Sequence, residues 1–361
     1  MAKINHIIKE QEIITTYNLR QQEQHELHKK YLILKKKNPE WGHKRLGKIL
    51  NVNPGRVSWW YFKKSSPVPT QTVNWLKAKK LLPLYPQDPR ASLIARILGT
   101  TFGDGGIFKN LNAIFLSSSE LEAVKQFGND LKIIFGKEIA LNSRVIEGGE
   151  YGHSWCYQNT NRKIIRMFQA LGAPIGKKSE IKLEIPNWIF KNKKFQDNFF
   201  SAFFGNEIGI PKIHINKKGT NSLDIGIVCK KELLDDRINF FNNIKHYLNQ
   251  KGISTNKIYI NKHKQDPKSL ILKLPISVNF DNLMNFNKKI VLNYTKYKSE
   301  KLITTLSELK NIKLKRFNLL SNTLNKLTQR NYSTEWIKHN LRLTDKSLKF
   351  IQNREPLKKW N

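Results

Sequence analysis

Apolar and polar positions along this 361-residue chain fall into three zones. In the first, residues 24–36, 43–50 and 54–62 repeat apolar positions at helical spacing, with Leu46, Ile49 and Leu50 inward on the second segment. Asn51-Val52-Asn53 makes the turn between the last two, Asn53 is a good N-cap, and Pro54 takes the first helical position. Helix, three-residue turn, helix is a helix-turn-helix pattern, and its outward face carries Arg56, Ser58, Trp59 and Lys63. An ordinary helical hairpin is the plainer reading. Leu82-Pro83-Leu84-Tyr85-Pro86-Gln87-Asp88-Pro89 then reads as a linker. The third zone, beyond Lys301, predicts short helices over 317–327, 333–340 and 344–352, with Ser333 and Thr344 as cap-like starts. It reads either as a second helix-turn-helix or as a packing appendage.

The middle zone mixes both periods. Helix 92–103, strand 113–117, helix 120–135, strands 139–145 and 154–158, and helix 162–171 are followed by a second series. That series is helix 195–206, strands 212–216 and 223–228, helix 232–250, strands 257–261 and 270–274, and helix 280–292. The order α-β-β-α-β-β-α occurs twice, which predicts an α+β fold of two pseudo-symmetric halves flanked by small all-α regions. The expected divisions are 1–86, 87–190, 191–300 and 301–361. Several strands place long polar side chains at every second position: Lys212, His214 and Asn216 opposite Ile213 and Ile215; Lys257, Tyr259, Asn261 and His263; and Asn142 and Arg144 alternating with Leu141, Ser143 and Val145. A solvated sheet face would look the same.

Charge changes the picture. Lys and Arg number 64 against 28 Asp and Glu, a formal net charge of +36. Self-repulsion makes that excess unfavourable for a compact fold, so it points to a polyphosphate partner. Codon bias toward lysine accounts for Lys in place of Arg but not for so few acids. Cys156 and Cys229 alone supply neither a disulfide framework nor a zinc cluster. No 18-residue apolar run occurs, which predicts a soluble, intracellular protein of a prokaryotic cytoplasm or nucleoid, or of an organelle.

The candidate chemistry lies at two helix ends. The first helix closes with Ile97-Leu98-Gly99-Thr100-Thr101-Phe102-Gly103-Asp104-Gly105-Gly106. Gly99 and Gly103, four apart, cost helix stability unless another backbone approaches closely. Asp104 sits where the macrodipole disfavours an anion, and Gly105 and Gly106 then end the helix, with freedom to adopt positive φ. The first helix of the second series closes with Phe200-Ser201-Ala202-Phe203-Phe204-Gly205-Asn206-Glu207-Ile208. Here Ala202 and Asn206 take the spacing of the two glycines, and Glu207 stands in register with Asp104. If the small faces pack together, the two acids meet, an arrangement tolerable mainly with a divalent cation between them. Mg²⁺ is the expected guest, and metal-assisted phosphodiester hydrolysis the expected chemistry.

These paired segments resemble the motifs of the LAGLIDADG homing endonucleases, over roughly residues 92 to 301. Positions 97–105 and 200–208 fill the nine motif places. Leu171-Gly172-Ala173-Pro174-Ile175-Gly176-Lys177-Lys178-Ser179 is similar to a glycine-x-proline-x-glycine-lysine-lysine run of family members, and Tyr294-Thr295-Lys296-Tyr297-Lys298 looks like its partner. The resemblance implies a two-repeat, monomeric protein whose sheets form a saddle over double-stranded DNA. It implies metal binding by Asp104 and Glu207, and assistance from Lys178 and Lys298, with Lys177 as the fallback. Phe102 and Gly205 stand where the family motif has its first, variable acid. Ile208 replaces the usual glycine, a departure that would alter the turn and shift Glu207.

The reading is a Mg²⁺-dependent, site-specific DNA endonuclease acting at an asymmetric, pseudo-palindromic site. Its rivals are a non-cleaving DNA-binding regulator, which Ile208 and the helix-turn-helix pattern favour, and an intron RNA splicing cofactor. The lack of a splice-junction Cys or Ser–His pattern predicts a free-standing protein.

Overall fold

The computed structural model describes residues 6–148, 153–213 and 223–353, apart from the side chain of Phe350. Near the N-terminus, α1 (Glu10–Ile14) and α5 (Val68–Ala78) bracket α2 (Leu19–Lys37), α3 (His43–Ile49) and α4 (Pro54–Phe62). The α3–α4 pair turns through left-handed Asn51, and the Asn53 side chain accepts from the Gly55 amide, as a helix cap requires. Gly47 lets the turn close, because a Cβ there would lie 3.0 Å from Pro54. Tyr31, Leu46, Val57 and Trp60 form a small core of their own. Residues 8–17 and 73–84, by contrast, pack into the central core, so the expected division at 86 marks no break in packing.

The expected α+β architecture is present. In the first half, α6 (Ala91–Phe102), β1 (Gly105–Ile107), β2 (Ile114–Ser118), α7 (Leu121–Phe135), β3 (Ser143–Glu147), β4 (Trp155–Asn159) and α8 (Arg162–Ala170) build an antiparallel sheet of order β1-β2-β4-β3. After the short α9 (Asn187–Phe190), the second half runs α10 (Lys193–Glu207), β5 (Leu223–Lys230), α11 (Leu234–Gln250), β6 (Tyr259–Lys262), β7 (Ser269–Ile276) and α12 (Phe280–Lys289). Its sheet has order β5-β7-β6, the counterpart of β2-β4-β3. The strand expected over 212–216 lies mostly outside the described residues.

Three expectations are corrected. Residues 137–142 form a 3₁₀ turn rather than the start of a strand, so Asn142 stands beside the sheet, its carbonyl accepting from the Thr160 amide at 2.8 Å. Leu141, expected inward, is 90% exposed. Second, α12 ends at Lys289, because residues 290–293 turn back onto α10: the Asn293 amide donates to the Ser201 carbonyl at 3.1 Å. Third, α13 is one unbroken helix, Lys296–Gln329, so neither a boundary at 300 nor a separate helix over 317–327 is found. Its far end packs with α14 (Thr334–Leu341) and α15 (Asp345–Gln352) around Phe317, Leu324, Ile337, Leu348 and Ile351.

Candidate active site and nucleic-acid interface

Helices α6 and α10 lie against each other at the centre, and their sequences explain how closely. A Cβ on Gly99 would stand 2.1 Å from the Phe199 carbonyl oxygen, and one on Gly103 would stand 2.6 Å from the Asn206 Cβ. Ala202 and Asn206 are both buried. The motif's aromatic residues fasten the halves: Phe102 meets Phe199 edge-on at 5.2 Å and stacks on Phe240 of α11 at 5.9 Å. Gly205 is required for a different reason. A Cβ there would lie 1.8 Å from the Asn293 carbonyl oxygen, so the returning loop takes the space of a side chain.

Gly105 and Gly106 do not end α6 with positive φ; they form β1, and Gly105 is needed because a Cβ would strike the Phe115 carbonyl at 2.7 Å. Ile208 does not distort the second turn. Its φ of −75° and ψ of 130° are ordinary extended backbone, it pairs with Ile225, and its side chain is 1% exposed. An apolar residue entering the sheet thus does what a glycine does in the first half, and Glu207 remains the last residue of its helix.

Asp104 and Glu207 sit at the adjoining C-terminal ends of α6 and α10, where both helix dipoles are negative. Burial pushes the Glu207 carboxyl up to about 7, Asp104 adds to the rise, and Lys178 and Lys298 oppose it. Burial raises Asp104 too, against Lys298 and then Lys178. Asp104 is exposed to solvent, whereas Glu207 is half-buried and feels the low-dielectric surroundings more strongly. The lysines are placed alike. The Lys178 ammonium donates to the Gly103 carbonyl and, at 2.7 Å, to the Gly105 carbonyl, flanking Asp104. The Lys298 ammonium donates to the Asn206 carbonyl, next to Glu207. Burial lowers both lysines, and the attraction of both acids partly restores them. Lys177 turns away to pair with Glu180 at 2.9 Å.

The donor set fits a hard divalent cation. Two buried carboxylates, one raised further by the charge of the other, gain from a cation between them, and Mg²⁺ commonly takes one or two carboxylates, leaving places for phosphate oxygens and water. Among the described residues no group of three or more His, Cys, Asp and Glu gathers elsewhere to compete.

The sheets' outer faces carry some of the expected polar residues. Arg144 is exposed on β3 and donates to the side-chain amide oxygen (Oε1) of Gln158 on β4 at 2.8 and 3.1 Å. Phe115, Gln158 and Arg144 form one row across the sheet, and Gly226, Lys273 and Tyr259 form a row across the other. Gln158 and Lys273 were missed by the sequence reading, although the alternation on β4 already set Gln158 beside buried Tyr157 and Asn159. The edge strand β6 is exposed on both faces, so Tyr259 and Asn261 share solvent with Ile260, contrary to a half-buried alternation. Lys257 precedes this strand. His263 follows it and is committed to a turn, its Nδ1 accepting from the Asp266 amide at 3.0 Å. Lys212 is exposed, and His214 and Asn216 lie outside the described residues. On α4, Arg56 and Trp59 are exposed, Ser58 is half-buried, and the Lys63 ammonium lies 4.1 Å from the Trp59 ring centre. No helix among the described residues is long and apolar enough to cross a membrane.

Comparison with known proteins places relatives beside this geometry. No family model matches the chain. It is 32% identical over 193 residues to the DNA-directed RNA polymerase subunit Rpo1N of Methanocaldococcus jannaschii, covering 50% of this chain and 14% of that protein. It is 29% identical over 252 residues to the tRNA-splicing ligase RtcB of Pyrococcus furiosus, covering 66% of this chain and 25% of the relative. The chain therefore spans a quarter or less of the length of these curated relatives. Among solved structures, a mesophilic variant of the homing endonuclease I-DmoI aligns with a TM-score of 0.36 and 16% identity, over 60% of this chain and all of that one.

Proposed function

We propose that the chain is a metal-dependent endonuclease that hydrolyses both strands of a double-stranded DNA site, as the resemblance to the LAGLIDADG motifs implies. The observation that carries the reading is the pairing of Asp104 and Glu207 at two adjoining helix ends, with Lys178 and Lys298 placed alike beside them. Asp104 and Glu207 hold the cation, which when bound supplies a Lewis acid for the charge that develops on the scissile phosphate. Each lysine, fixed to a main-chain carbonyl, presents its ammonium to that phosphate and offsets the acids when no substrate is present. Phosphates along the duplex are met by the basic surface, and bases by Arg144, Gln158, Tyr259, Asn261 and Lys273 on the sheet faces. Arg56, Trp59 and Lys63 extend the grip through α4.

An RNA polymerase subunit and an RNA ligase share no reaction, yet the same chain matches a minor part of each. This supports a module whose activity is separate from both. The test is selection of bound duplexes from a random DNA library, followed by incubation of the selected pool with Mg²⁺. The expected result is a discrete double-strand cut in the enriched sequence. Intact DNA under both Mg²⁺ and Mn²⁺, or tighter binding to a structured RNA than to any duplex, overturns the proposal.

A further inference from the structure

Each lysine of the site is held in place by the other half of the molecule. Lys298 belongs to the second half and lies in the first turn of α13. The amides that open this helix are capped from the first half: Glu120, which precedes α7, accepts from the Lys296 amide at 2.9 Å and the Tyr297 amide at 3.0 Å. Its other oxygen accepts from the Thr295 hydroxyl at 2.7 Å, and that hydroxyl oxygen in turn accepts from the Lys298 amide at 3.2 Å. A third tie comes from α7 itself, where Asp130 accepts from the hydroxyl of buried Tyr294 at 2.5 Å. A carboxylate at a helix N-terminus is favoured by the free amides and by the dipole, so the cap fixes both the start of α13 and its rotation about its axis.

Lys178 belongs to the first half, and its segment is held by the first turn of α11 from the second. The side chain of Arg237 is fully buried and donates through one terminal nitrogen to the Lys178 carbonyl at 2.9 Å and to the Ile181 carbonyl at 3.0 Å. Its neighbour Asp236 accepts from the Leu183 amide at 2.9 Å. The two carbonyls are the hydrogen-bond partners of this buried guanidinium, whose Nε and Nη1 make none and whose Nη1 has Asp236 at 3.6 Å, so its burial favours the one geometry of the segment in which those carbonyls are met.

We infer that Glu120 and Arg237 are positioning residues in a crossed arrangement, the first half setting Lys298 and the second half setting Lys178. Neither lysine is then in place until both halves have packed. The consequence for cutting rests on the endonuclease reading; the placement of the lysines does not.

The experiment is acylation of the full-length chain by a water-soluble active ester, with the rate at Lys178 and at Lys298 read separately by peptide mass spectrometry. Losing hydrogen bonds to a charged group frees the anchored segment by roughly tenfold. Glu120→Ala is expected to raise the rate at Lys298 by that factor and leave Lys178 within twofold. Arg237→Gln is expected to do the reverse, and Glu120→Gln, which keeps one acceptor oxygen, to fall between wild type and Glu120→Ala. Where Arg237→Gln does not fold, Asp236→Ala releases the Leu183 amide on the same segment and is expected to expose Lys178. Both lysines changing together in every variant, or neither changing, overturns the inference. On a cleavable duplex, Glu120→Ala and Arg237→Gln should leave nicks on opposite strands; nicks on the same strand count against the crossed arrangement. Acylation needs neither DNA nor metal. A wild-type chain that does not cut therefore overturns the proposed function, while the acylation rates still decide this inference.

Discussion

Replacing Glu207 by Gln removes an anion that the fold holds at a cost. Folding raises its carboxyl from the usual 4.5 to about 7, chiefly by burial and then by the charge of Asp104. At about 1.4 kcal/mol per pH unit, the fully ionised side chain costs the folded state about 3 kcal/mol, an upper figure because solvent still reaches the group. The folded chain binds this proton more tightly than the unfolded one. Below pH 4.5 both forms are protonated and nothing is lost. Between 4.5 and about 7 the unfolded state releases the proton first, so stability falls as pH rises, and above 7 the cost is complete. Gln cannot ionise. In EDTA, Glu207→Gln should therefore match wild type near pH 4.5 and exceed it by up to about 3 kcal/mol at pH 8. Denaturant titrations of both proteins across this range, followed by circular dichroism, read the difference directly. Mg²⁺ at pH 8 should narrow it by stabilising wild type alone. A difference that does not change with pH, or a variant less stable than wild type at pH 8, refutes the claim that the paired acids strain the fold.

Two further predictions concern packing and grip. Gly99→Ala and Gly205→Ala each drive a methyl group into main chain, against Phe199 and Asn293, and should lower stability by about 1–3 kcal/mol or more. Gly42→Ala, where nothing lies within 4 Å, serves as the control, and thermal melting separates them. Arg56→Ala combined with Lys63→Ala should weaken duplex binding and reduce the slope of log affinity against log salt by about two, measured by fluorescence anisotropy. Cutting of saturated DNA should be unchanged.

The close pairing of the two helices was legible because Gly99 and Gly103 are costly in a helix unless a neighbour approaches closely, and here the Phe199 main chain and the Asn206 side chain do. The α3–α4 turn was legible because Asn53 and Pro54 are local signals. What escaped the sequence depends on contacts distant along the chain. Gly205 makes room for Asn293, Ile208 pairs with Ile225, and α13 runs unbroken through residues 300–301, where the expected division found no helix stop. The alternation over 139–145 misled because Lys137–Asn142 closes into a 3₁₀ turn after Gly136, whose φ is +98°. Glu120 and Arg237 gave no signal at all, since a carboxylate at a helix start and an arginine on a helix are unremarkable until their partners are known.

The central claim, that Asp104 and Glu207 form one cutting centre, is tested most directly by measuring binding and cleavage together. Asp104→Asn should bind the selected duplex as wild type does and leave both strands intact in Mg²⁺. Cleavage that persists in that variant, on either strand, contradicts the account.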